Sequence, residues 1–448
     1  MRLPDGFGGG EKGPVFMVDG DKLTLVCMGC GREYAPPRFH CDACDGLLRA
    51  RYAVTAFTPD EQPGLFAFRD WLPPRTTHAL PLGTVIRPSE GLGASMGLTR
   101  LAIAFSGYAP EIAAMNPTGS FKDFEATPTL LYSREQGIES LVLASAGNTA
   151  RAFAYAAIQL DYHVILVIPE IALDRLWIPC PPTDAVRLVV LEGCDDYAEA
   201  IALAARITQL LGVANEGGAR NVARRDGMST AVLEYARFMD AIPEHYVQAI
   251  GSGTVGIAAW EAALRLVGAG VGDAPPMLHL AQNAPFTPIH HAWTTGKPIE
   301  PDRNVELQQQ QIGQIDAPVL ANRRPPYAVP GGVRDALTGT AGHTYAVTNE
   351  AARAAGAEFE ALEGFAIGPA SAVAVGALQQ AVATGTIRPA DCVLLHITGN
   401  NELRLQQEVT LHSIPACWRV RPEALTDERI LAEKGRLGVT RGSTDAAP

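Results

Sequence analysis

The chain alternates short apolar stretches with longer segments in which apolar residues recur at helical spacing, most clearly beyond about residue 90. A short apolar run bounded by turn residues is typical of a buried strand, whereas apolar positions three and four apart predict a helix. Regular alternation of the two predicts an α/β fold with a mostly parallel sheet and helices on both faces. The predicted strands are 140–144, 163–168, 186–191, 246–250 and 392–397, and the predicted helices are 149–160, 197–211 and 256–267.

Length and composition place the chain among the larger globular proteins. It has 448 residues, of which 47% are hydrophobic and 19% are charged, enough for two or three domains. The formal net charge of −12 argues against a general nucleic-acid binder, since neutralising phosphates needs clustered Lys and Arg. The N-terminus has no basic start followed by an apolar stretch, and no apolar run approaches the ~18 residues of a membrane helix. We therefore expect a cytoplasmic protein without a membrane span.

Four cysteines fall close together near the start of the chain, as two Cys-x-x-Cys pairs. In a reducing compartment, paired cysteines favour a metal over disulfides. Two such pairs provide four thiolates, the ligand set of a structural zinc site, which leaves no open position for substrate. The loop between the pairs is shorter than in most zinc ribbons, and reduced cysteines without a metal are the alternative. The predicted ligands of one Zn²⁺ are Cys27, Cys30, Cys41 and Cys44.

A glycine-rich run, the glycine loop, follows predicted strand 246–250 and opens the next predicted helix. Ligands of parallel sheets bind beyond the carboxyl ends of the strands. Glycines let the backbone approach an anion closely, and a helix N-terminus supplies free N–H groups. The run lacks the Gly-Lys-Ser/Thr of a Walker loop, and no acidic residue follows at the spacing of a dinucleotide site. The sequence predicts a phosphate cradle, with an ordinary turn as the alternative, formed by Gly251, Ser252, Gly253, Thr254, Val255 and Gly256.

Two further runs precede predicted helices. The run NPTGSFKD (116–123) contains Lys122, and SAGNT (145–149) follows predicted strand 140–144. Most lysines lie on the surface, but one that forms a Schiff base needs a sheltered site that lowers its pKa. The N–H groups of SAGNT are suited to a carboxylate, and the side chain of Asn148 is suited to a phenolic oxygen. Each run is weak evidence when taken alone.

Taken in order, the three runs resemble the fold-type II pyridoxal-phosphate (PLP) enzymes, the tryptophan-synthase-β and threonine-synthase group. The resemblance implies two doubly wound parallel-sheet domains with PLP as the cofactor. It implies that Lys122 holds PLP covalently and takes the Cα proton of the substrate, that Asn148 contacts the ring hydroxyl, and that Thr398 contacts the pyridine nitrogen. The glycine loop would then hold the PLP phosphate. The residues expected to bind the substrate are Ser145, Ala146, Gly147 and Thr149.

The domain organisation follows from the same comparison of runs. We expect an N-terminal tail at 1–22, a zinc-ribbon-like segment at 23–50, a catalytic region at 51–440 and a polar tail at 441–448. Within the catalytic region, a small α/β subdomain of roughly 135–220 is expected to be inserted into a larger one.

Longer stretches narrow the resemblance to the cysteate synthases, which are related to threonine synthase. They include LASAGNTARAFA (143–154), EGGARNVARRDGM (216–228), QNAPFTPIHHAW (282–293) and NRRPPYAVPGG (322–332), and the similarity covers most of residues 23–410. Cysteate synthases make L-cysteate from O-phospho-L-serine and sulfite. The resemblance thus implies that a small nucleophile replaces phosphate on a phospho-amino acid, in an enzyme expected to form a homo-oligomer.

The sequence leaves three alternatives open. The complete NPTGSFKD run has the threonine-synthase form, so threonine synthase, which uses O-phosphohomoserine and water, is the first. Replacement of the phosphate of phosphoserine by another nucleophile is the second. A zinc-ribbon interaction protein on an inactive scaffold is the third, and the intact Lys122, Asn148 and glycine loop argue against it. Guanidinium groups suit phosphate and sulfite oxyanions, and the candidates are Arg220, Arg224, Arg225, Arg323 and Arg324.

Overall fold

The computed structural model of the chain describes residues 22–61, 64–145, 147–193, 197–400 and 402–439. Three features named from the sequence fall outside these ranges: the N-terminal tail apart from its last residue, the polar tail at 441–448, and Ala146. None of the helices within the described ranges is long and apolar enough to cross a lipid bilayer.

A six-stranded sheet is the larger of the two main sheets. Five of its strands are parallel, and the edge strand Val85–Pro88 is antiparallel to its neighbour. Strand Val393–Ile397 lies inside the sheet and is buried along its whole length, which accounts for its continuous apolar run. Leu394 and Leu395 point to opposite faces and join different apolar cores. In spatial order the strands are His343–Val347, Met277–Asn283, His245–Ala249, Val393–Ile397, Leu101–Phe105 and Val85–Pro88.

Helices cover both faces of the six-stranded sheet, as the alternating pattern predicts. Helices Val222–Met239 and Thr254–Gly268 contribute to the core on one face. Helices Asn349–Glu363 and Pro369–Ala383 contribute to the core on the other. Both faces are therefore withdrawn from water, as is usual for parallel sheets.

The smaller sheet has five parallel strands. Helices Lys122–Glu135 and Asn148–Leu160 pack on one face, and Tyr197–Leu211 and Asp427–Ala432 pack on the other. Its edge strand Ala416–Val420 comes from near the C-terminus and was not predicted. In spatial order the strands are Ala214–Asn215, Ser140–Ala144, His163–Pro169, Val186–Leu191 and Ala416–Val420.

The zinc-ribbon-like segment forms a separate three-stranded antiparallel sheet. Its central strand Leu23–Cys27 pairs with Glu33–Tyr34 on one side and Leu48–Tyr52 on the other. Alternate residues of the central strand are buried, which is the period-two pattern of a strand with one face on a core. That core is shared with helices Val222–Met239 and Thr254–Gly268, so the segment is packed onto the catalytic region.

Helix Lys122–Glu135, which we call the lysine helix, packs against elements of both main sheets. It buries an unbroken run of side chains from Asp123 to Ser133. It packs on the smaller sheet and also against helix Val222–Met239 of the larger one. The two helices approach very closely at Gly227, where a Cβ atom would lie 1.9 Å from the carbonyl oxygen of Phe124. Only glycine fits there without moving one of the helices.

The predicted strands and helices all occur. The strands at 140–144 and 186–191 and the helix at 197–211 have the predicted bounds, and each of the other elements differs by one or two residues at one or both ends. Two short antiparallel pairs are Trp177–Ile178 with His412–Ser413 and Tyr108–Ala109 with Ala114–Met115. The remaining α-helices are Gly91–Met96, Pro288–Thr295, Val305–Gln314, Val333–Gly339 and Glu402–Glu408, and the 3₁₀ helices are Leu65–Trp71, Pro110–Ile112, Glu170–Arg175, Gly218–Arg220, Pro318–Leu320 and Pro422–Ala424.

Candidate functional site

The glycine loop and Thr398 lie at the same edge of the six-stranded sheet. The loop follows strand His245–Ala249, Thr398 follows strand Val393–Ile397, and these two strands are parallel neighbours. Gly253 has a φ of 78° and caps helix Thr254–Gly268. The N–H groups in the first turn of that helix have no acceptor within the helix, so they are suited to an anion. The predicted phosphate cradle thus has a helix N-terminus at the expected place.

Thr398 is itself nearly buried, and a second hydroxyl lies beside it. Oγ of Ser371 lies 3.5 Å from Oγ1 of Thr398 and donates a hydrogen bond to the carbonyl oxygen of Gly399 at 2.8 Å. Ser371 stands at the start of helix Pro369–Ala383, and no role in the site was predicted for it. No local pattern pointed to it, because its place depends on how that helix packs.

The NPTGSFKD run is held on the end of strand Val393–Ile397 by its backbone. The N–H of Phe121 donates to the carbonyl oxygen of Thr398 at 2.9 Å, and the N–H of Asn400 donates to that of Gly119 at 3.2 Å. Gly119 has a φ of 69°, which permits the turn. These contacts place Lys122, the first residue of the lysine helix, near Thr398, as the sequence comparison implied.

Lys122 belongs to a buried cluster of charges. Its Nζ donates to Oε2 of Glu125 at 3.0 Å. Oε1 of Glu125 accepts from Oγ1 of Thr149 at 2.8 Å and lies 3.1 Å from the guanidinium of Arg224. Arg224 also pairs with Glu216 at 2.6 Å. The cluster joins two positive charges, on Lys122 and Arg224, with two carboxylates, on Glu125 and Glu216. These charges come from two separate parts of the chain, and Thr149 adds a hydroxyl from a third.

Burial and neighbouring charges shift the pKa values of this cluster. Burial lowers the pKa of Lys122, an effect that the carboxylate of Glu125 only partly opposes. For Glu125, burial alone would raise the pKa, but Arg224 and Lys122 together hold it below its usual range. A lysine with a lowered pKa gives up its proton more readily than an exposed lysine does, which suits Lys122 to proton transfer.

The SAGNT run begins helix Asn148–Leu160. Oγ of Ser145 accepts from the N–H groups of Gly147 at 3.3 Å and Ala150 at 3.1 Å, which closes the turn. Oδ1 of Asn148 accepts a hydrogen bond from Arg151, so Nδ2 is the donor that Asn148 has to offer. Thr149 reaches Glu125 and thereby joins this run to the lysine cluster.

The segment Pro318–Leu320 packs between the SAGNT run and the glycine loop. A Cβ atom on Gly147 would lie 3.3 Å from Cγ1 of Val319, and one on Gly251 would lie 3.1 Å from the carbonyl oxygen of Leu320. This segment therefore borders two of the predicted binding loops. No motif marks this segment in the sequence, because a short 3₁₀ turn has no pattern of its own.

The other candidate arginines have different surroundings. Arg225 is fully buried and pairs with Glu261 at 3.0 Å, so the interpretation of Arg225 as an oxyanion ligand is wrong: a guanidinium enclosed in this way holds the fold together. Arg220 forms an ion pair with Asp45 of the zinc-ribbon-like segment. Arg323 donates to the carbonyl oxygen of Pro301, and Arg324 pairs with Asp302.

The four predicted zinc ligands come together. Their sulfur atoms all lie within 4.8 Å of one another. The sulfur of Cys27 lies 3.4 Å from that of Cys44, and the sulfur of Cys30 lies 3.4 Å from that of Cys41. The N–H of Gly29 donates to the sulfur of Cys27 at 3.4 Å. Four thiolates in this arrangement fit the tetrahedral geometry of a structural Zn²⁺.

The zinc-ribbon-like segment also contacts loops that border the lysine cluster. The N–H of Leu47 donates to the carbonyl oxygen of Pro330 at 2.9 Å. The ring of Phe39 lies 3.2 Å from where a Cβ atom of Gly217 would stand, and Gly217 directly follows Glu216 of the cluster. The segment therefore supports the catalytic region from outside, without presenting a side chain to Lys122 in the contacts described above.

The residues of the site fit PLP. Lys122 is sheltered and its pKa is lowered, the glycine loop opens a helix N-terminus, and the hydroxyl of Thr398 lies at the neighbouring strand end. These groups are suited in turn to an aldehyde carbon, a phosphate and a ring nitrogen.

Comparison with known proteins agrees with this geometry. A family model described as pyridoxal-phosphate dependent enzyme matches residues 113–399. The cysteate synthase of Methanocella paludicola is 46% identical over 402 residues, which cover 89% of this chain and 94% of that one. The cysteate synthase of Methanosarcina mazei is 44% identical over 396 residues, which cover 88% and 95%.

Solved structures with a similar fold include a pyridoxal 5'-phosphate-dependent aspartate racemase, with a TM-score of 0.55 and 16% identity over 72% of this chain and 91% of that one. The processed form of threonine deaminase isoform 2 from Solanum lycopersicum has a TM-score of 0.53 and 15% identity, over 74% and 87%. At such low identity these likenesses concern the fold alone. They confirm the predicted fold-type II architecture.

Proposed function

We propose, from the premise that the chain belongs to the cysteate synthases within the pyridoxal-phosphate-dependent enzyme family, that it converts O-phospho-L-serine and sulfite to L-cysteate and phosphate. The observation that carries this proposal is the 43–46% identity to cysteate synthases along nearly the whole of both chains. The chain is thus an enzyme that acts on small molecules with PLP as its cofactor. The identity of the two substrates is the part that is proposed.

The residues of the site have defined parts in this proposal. Lys122 would hold the cofactor, the glycine loop would bind its phosphate through backbone N–H groups, and Asn148 and Thr398 would contact its ring. Bound PLP withdraws electrons from Cα of an amino-acid substrate, which makes the Cα proton acidic and allows a group on Cβ to leave. Ser145, Gly147 and Thr149, with Ala146, would bind the substrate carboxylate at the start of helix Asn148–Leu160.

The reaction balances without an oxidant or reductant. Lys122 takes the Cα proton, and the bond between Cβ and the phosphate oxygen breaks, with its electron pair leaving on phosphate. The sulfur lone pair of sulfite then forms the new bond to Cβ, and Lys122 returns the proton to Cα. One base in a sheltered site serves both proton transfers, which agrees with the lowered pKa of Lys122.

Threonine synthase remains the second candidate, because of the complete NPTGSFKD run. One extra methylene in a pocket is worth only ~1–3 kcal/mol of discrimination, so some reaction with O-phosphohomoserine is expected in either case. The side chain of Asn400 holds both backbone groups of Tyr108, at 2.9 and 2.7 Å. The side chain of Asn400 therefore holds the loop after strand Val393–Ile397 against strand Tyr108–Ala109.

The test is a ratio of kcat/KM values together with a product assay. We expect phosphate release from O-phosphoserine, a lower kcat/KM with O-phosphohomoserine, and cysteate when sulfite is added. Borohydride reduction of the purified enzyme should attach the cofactor to Lys122, and Lys122→Ala should lose that link. A preference for O-phosphohomoserine with threonine as the product would overturn the proposal. Phosphate release without cysteate would reject sulfite as the nucleophile.

A structural zinc ion on the four cysteines, a cytoplasmic location, a homo-oligomer and the division of the catalytic region into two subdomains stay predictions. The cysteine geometry supports the first, and the presence of two separate main sheets supports the last.

A further inference from the structure

A buried carboxylate lies beside the predicted cofactor lysine, and the proposed function gives it no part. Glu125 stands three residues after Lys122 on the lysine helix, and its side chain is 0% exposed. Both of its oxygens are used: Oε2 accepts from Nζ of Lys122, and Oε1 accepts from Thr149 and faces Arg224. Each contact is direct, between 2.8 and 3.1 Å.

Burying a carboxylate costs several kcal/mol unless charges and hydrogen bonds replace its water. Here an arginine, a lysine and a hydroxyl supply that replacement, and the pKa of Glu125 stays below its usual range in spite of burial, because of Arg224 and Lys122. Glu125 is therefore an anion at neutral pH. Glu125 thus places a fixed negative charge at hydrogen-bond distance from Lys122, the lysine that must accept and return a proton in the proposed reaction.

We propose that Glu125 is the positioning residue of Lys122: its carboxylate holds Nζ of the free lysine and stabilises the ammonium form that the lysine takes after accepting the Cα proton. The inference rests on the proposed function, since it takes Lys122 as the cofactor lysine and the base. Glu125 acts only through Lys122 and leaves the substrate to the other loops.

Arg224 has a supporting part in this arrangement. Its guanidinium lies between two buried carboxylates, Glu125 at 3.1 Å and Glu216 at 2.6 Å. A cation already compensated by two anions attracts a phosphate or sulfite less strongly than an unpaired cation would. The structure therefore assigns Arg224 to holding Glu125 in place and keeping it ionised. This corrects the interpretation of Arg224 as a substrate-anion ligand.

Substitution of Glu125 should change the titration of Lys122. Glu125→Gln keeps the size of the side chain and an acceptor for Thr149 but removes the charge. An opposite charge within about 4–6 Å raises a lysine pKa by ~1–3 units, so the midpoint for Lys122 should fall by about that amount in the variant. A change of one pKa unit changes the ratio of protonated to neutral lysine tenfold. We therefore expect kcat to fall by about tenfold or more, while KM for O-phosphoserine changes little.

The decisive measurement uses protein freed of cofactor. Lysines are acylated over a range of pH, and the modified fraction of Lys122 is measured by peptide mass spectrometry in wild type, Glu125→Gln and Glu261→Gln. Glu261 is the matched control, because it is equally buried and paired with Arg225 at 3.0 Å. We expect a lower midpoint in Glu125→Gln, no shift in Glu261→Gln, and a matching shift in the pH profile of kcat.

An unchanged Lys122 midpoint in Glu125→Gln, or an equal shift in Glu261→Gln, would overturn the inference. If Glu125→Gln does not fold, Glu125→Asp takes its place, because it keeps the charge on a shorter side chain that cannot reach Nζ and Arg224 together. An unchanged Lys122 midpoint in Glu125→Asp would also overturn the inference. Borohydride labelling of a different lysine in wild type would instead refute the proposed function. The two failures are thus distinguishable.

Discussion

The close approach of helix Val222–Met239 to the lysine helix makes a sharp prediction for Gly227→Ala. The added methyl carbon would lie 1.9 Å from the carbonyl oxygen of Phe124 and 3.0 Å from Cγ of Pro128. Ordinary contact needs about 3.4 Å or more between such atoms, close to the optimum separation of non-bonded carbons. The two helices must therefore separate by roughly 1.5 Å along this line. Neither can yield by turning a side chain, because the obstructing atom belongs to the backbone.

Two effects of opposite sign set the magnitude. Overpacking of a well-packed core costs ~1–3 kcal/mol and sometimes more. Alanine gains up to ~1 kcal/mol over glycine in a helix interior. Because the clash is with a backbone atom, we expect the cost of overpacking to exceed the gain in helix propensity. The free energy of unfolding should then fall by about 1–2 kcal/mol. A displacement of about 1 Å at the start of the lysine helix can cost ~10²-fold in rate.

Gly313→Ala is the matched control, because Gly313 also lies in a helix and a Cβ atom there would meet nothing within 4 Å. Thermal unfolding should show a lower Tm for Gly227→Ala and an equal or higher Tm for Gly313→Ala. Steady-state kinetics should show a loss of kcat/KM for Gly227→Ala alone. A Gly227→Ala protein with wild-type Tm and kcat/KM would refute the reasoning about this contact.

Two further predictions concern zinc and pH. Elemental analysis of protein purified without chelator should find about one zinc ion per chain. Cys41→Ser should lose the zinc and lower Tm more than it lowers kcat. Absence of metal with all four thiols free would contradict this prediction. Burial raises the pKa of Asp123 to about 7, so the folded state favours its protonated form. Its contribution to stability is then full below roughly pH 4 and is lost as the pH rises to 7, and Asp123→Asn should flatten that fall in Tm.

The elements of the fold could be predicted where local pattern decides them. Strand Val186–Leu191 and helix Tyr197–Leu211 each have an apolar pattern that only one kind of element satisfies. Strand Ala416–Val420 was missed because its residues are only partly buried and its partner, Val186–Leu191, lies far away in the chain. Likewise, the Cys-x-x-Cys spacing indicated four ligands, but the docking of their segment on Pro330 depends on surfaces that no motif describes.

The site divides in the same way. Lys122, Asn148, Thr398 and the glycine loop follow strands or open helices, and motifs with fixed spacing mark them. Glu125 also had a local signal, since a carboxylate three residues after a lysine on a helix faces it, but a surface pair would look the same in sequence. What separates the two cases is burial, and the buried charge of Glu125 is compensated by Arg224, which a different helix supplies. The chemistry of Lys122 therefore depends on the contact between Glu125 and Arg224, two charges that nothing in the sequence connects. It depends also on Gly227, which lies one turn beyond Arg224 on the same helix and lets the two helices approach each other.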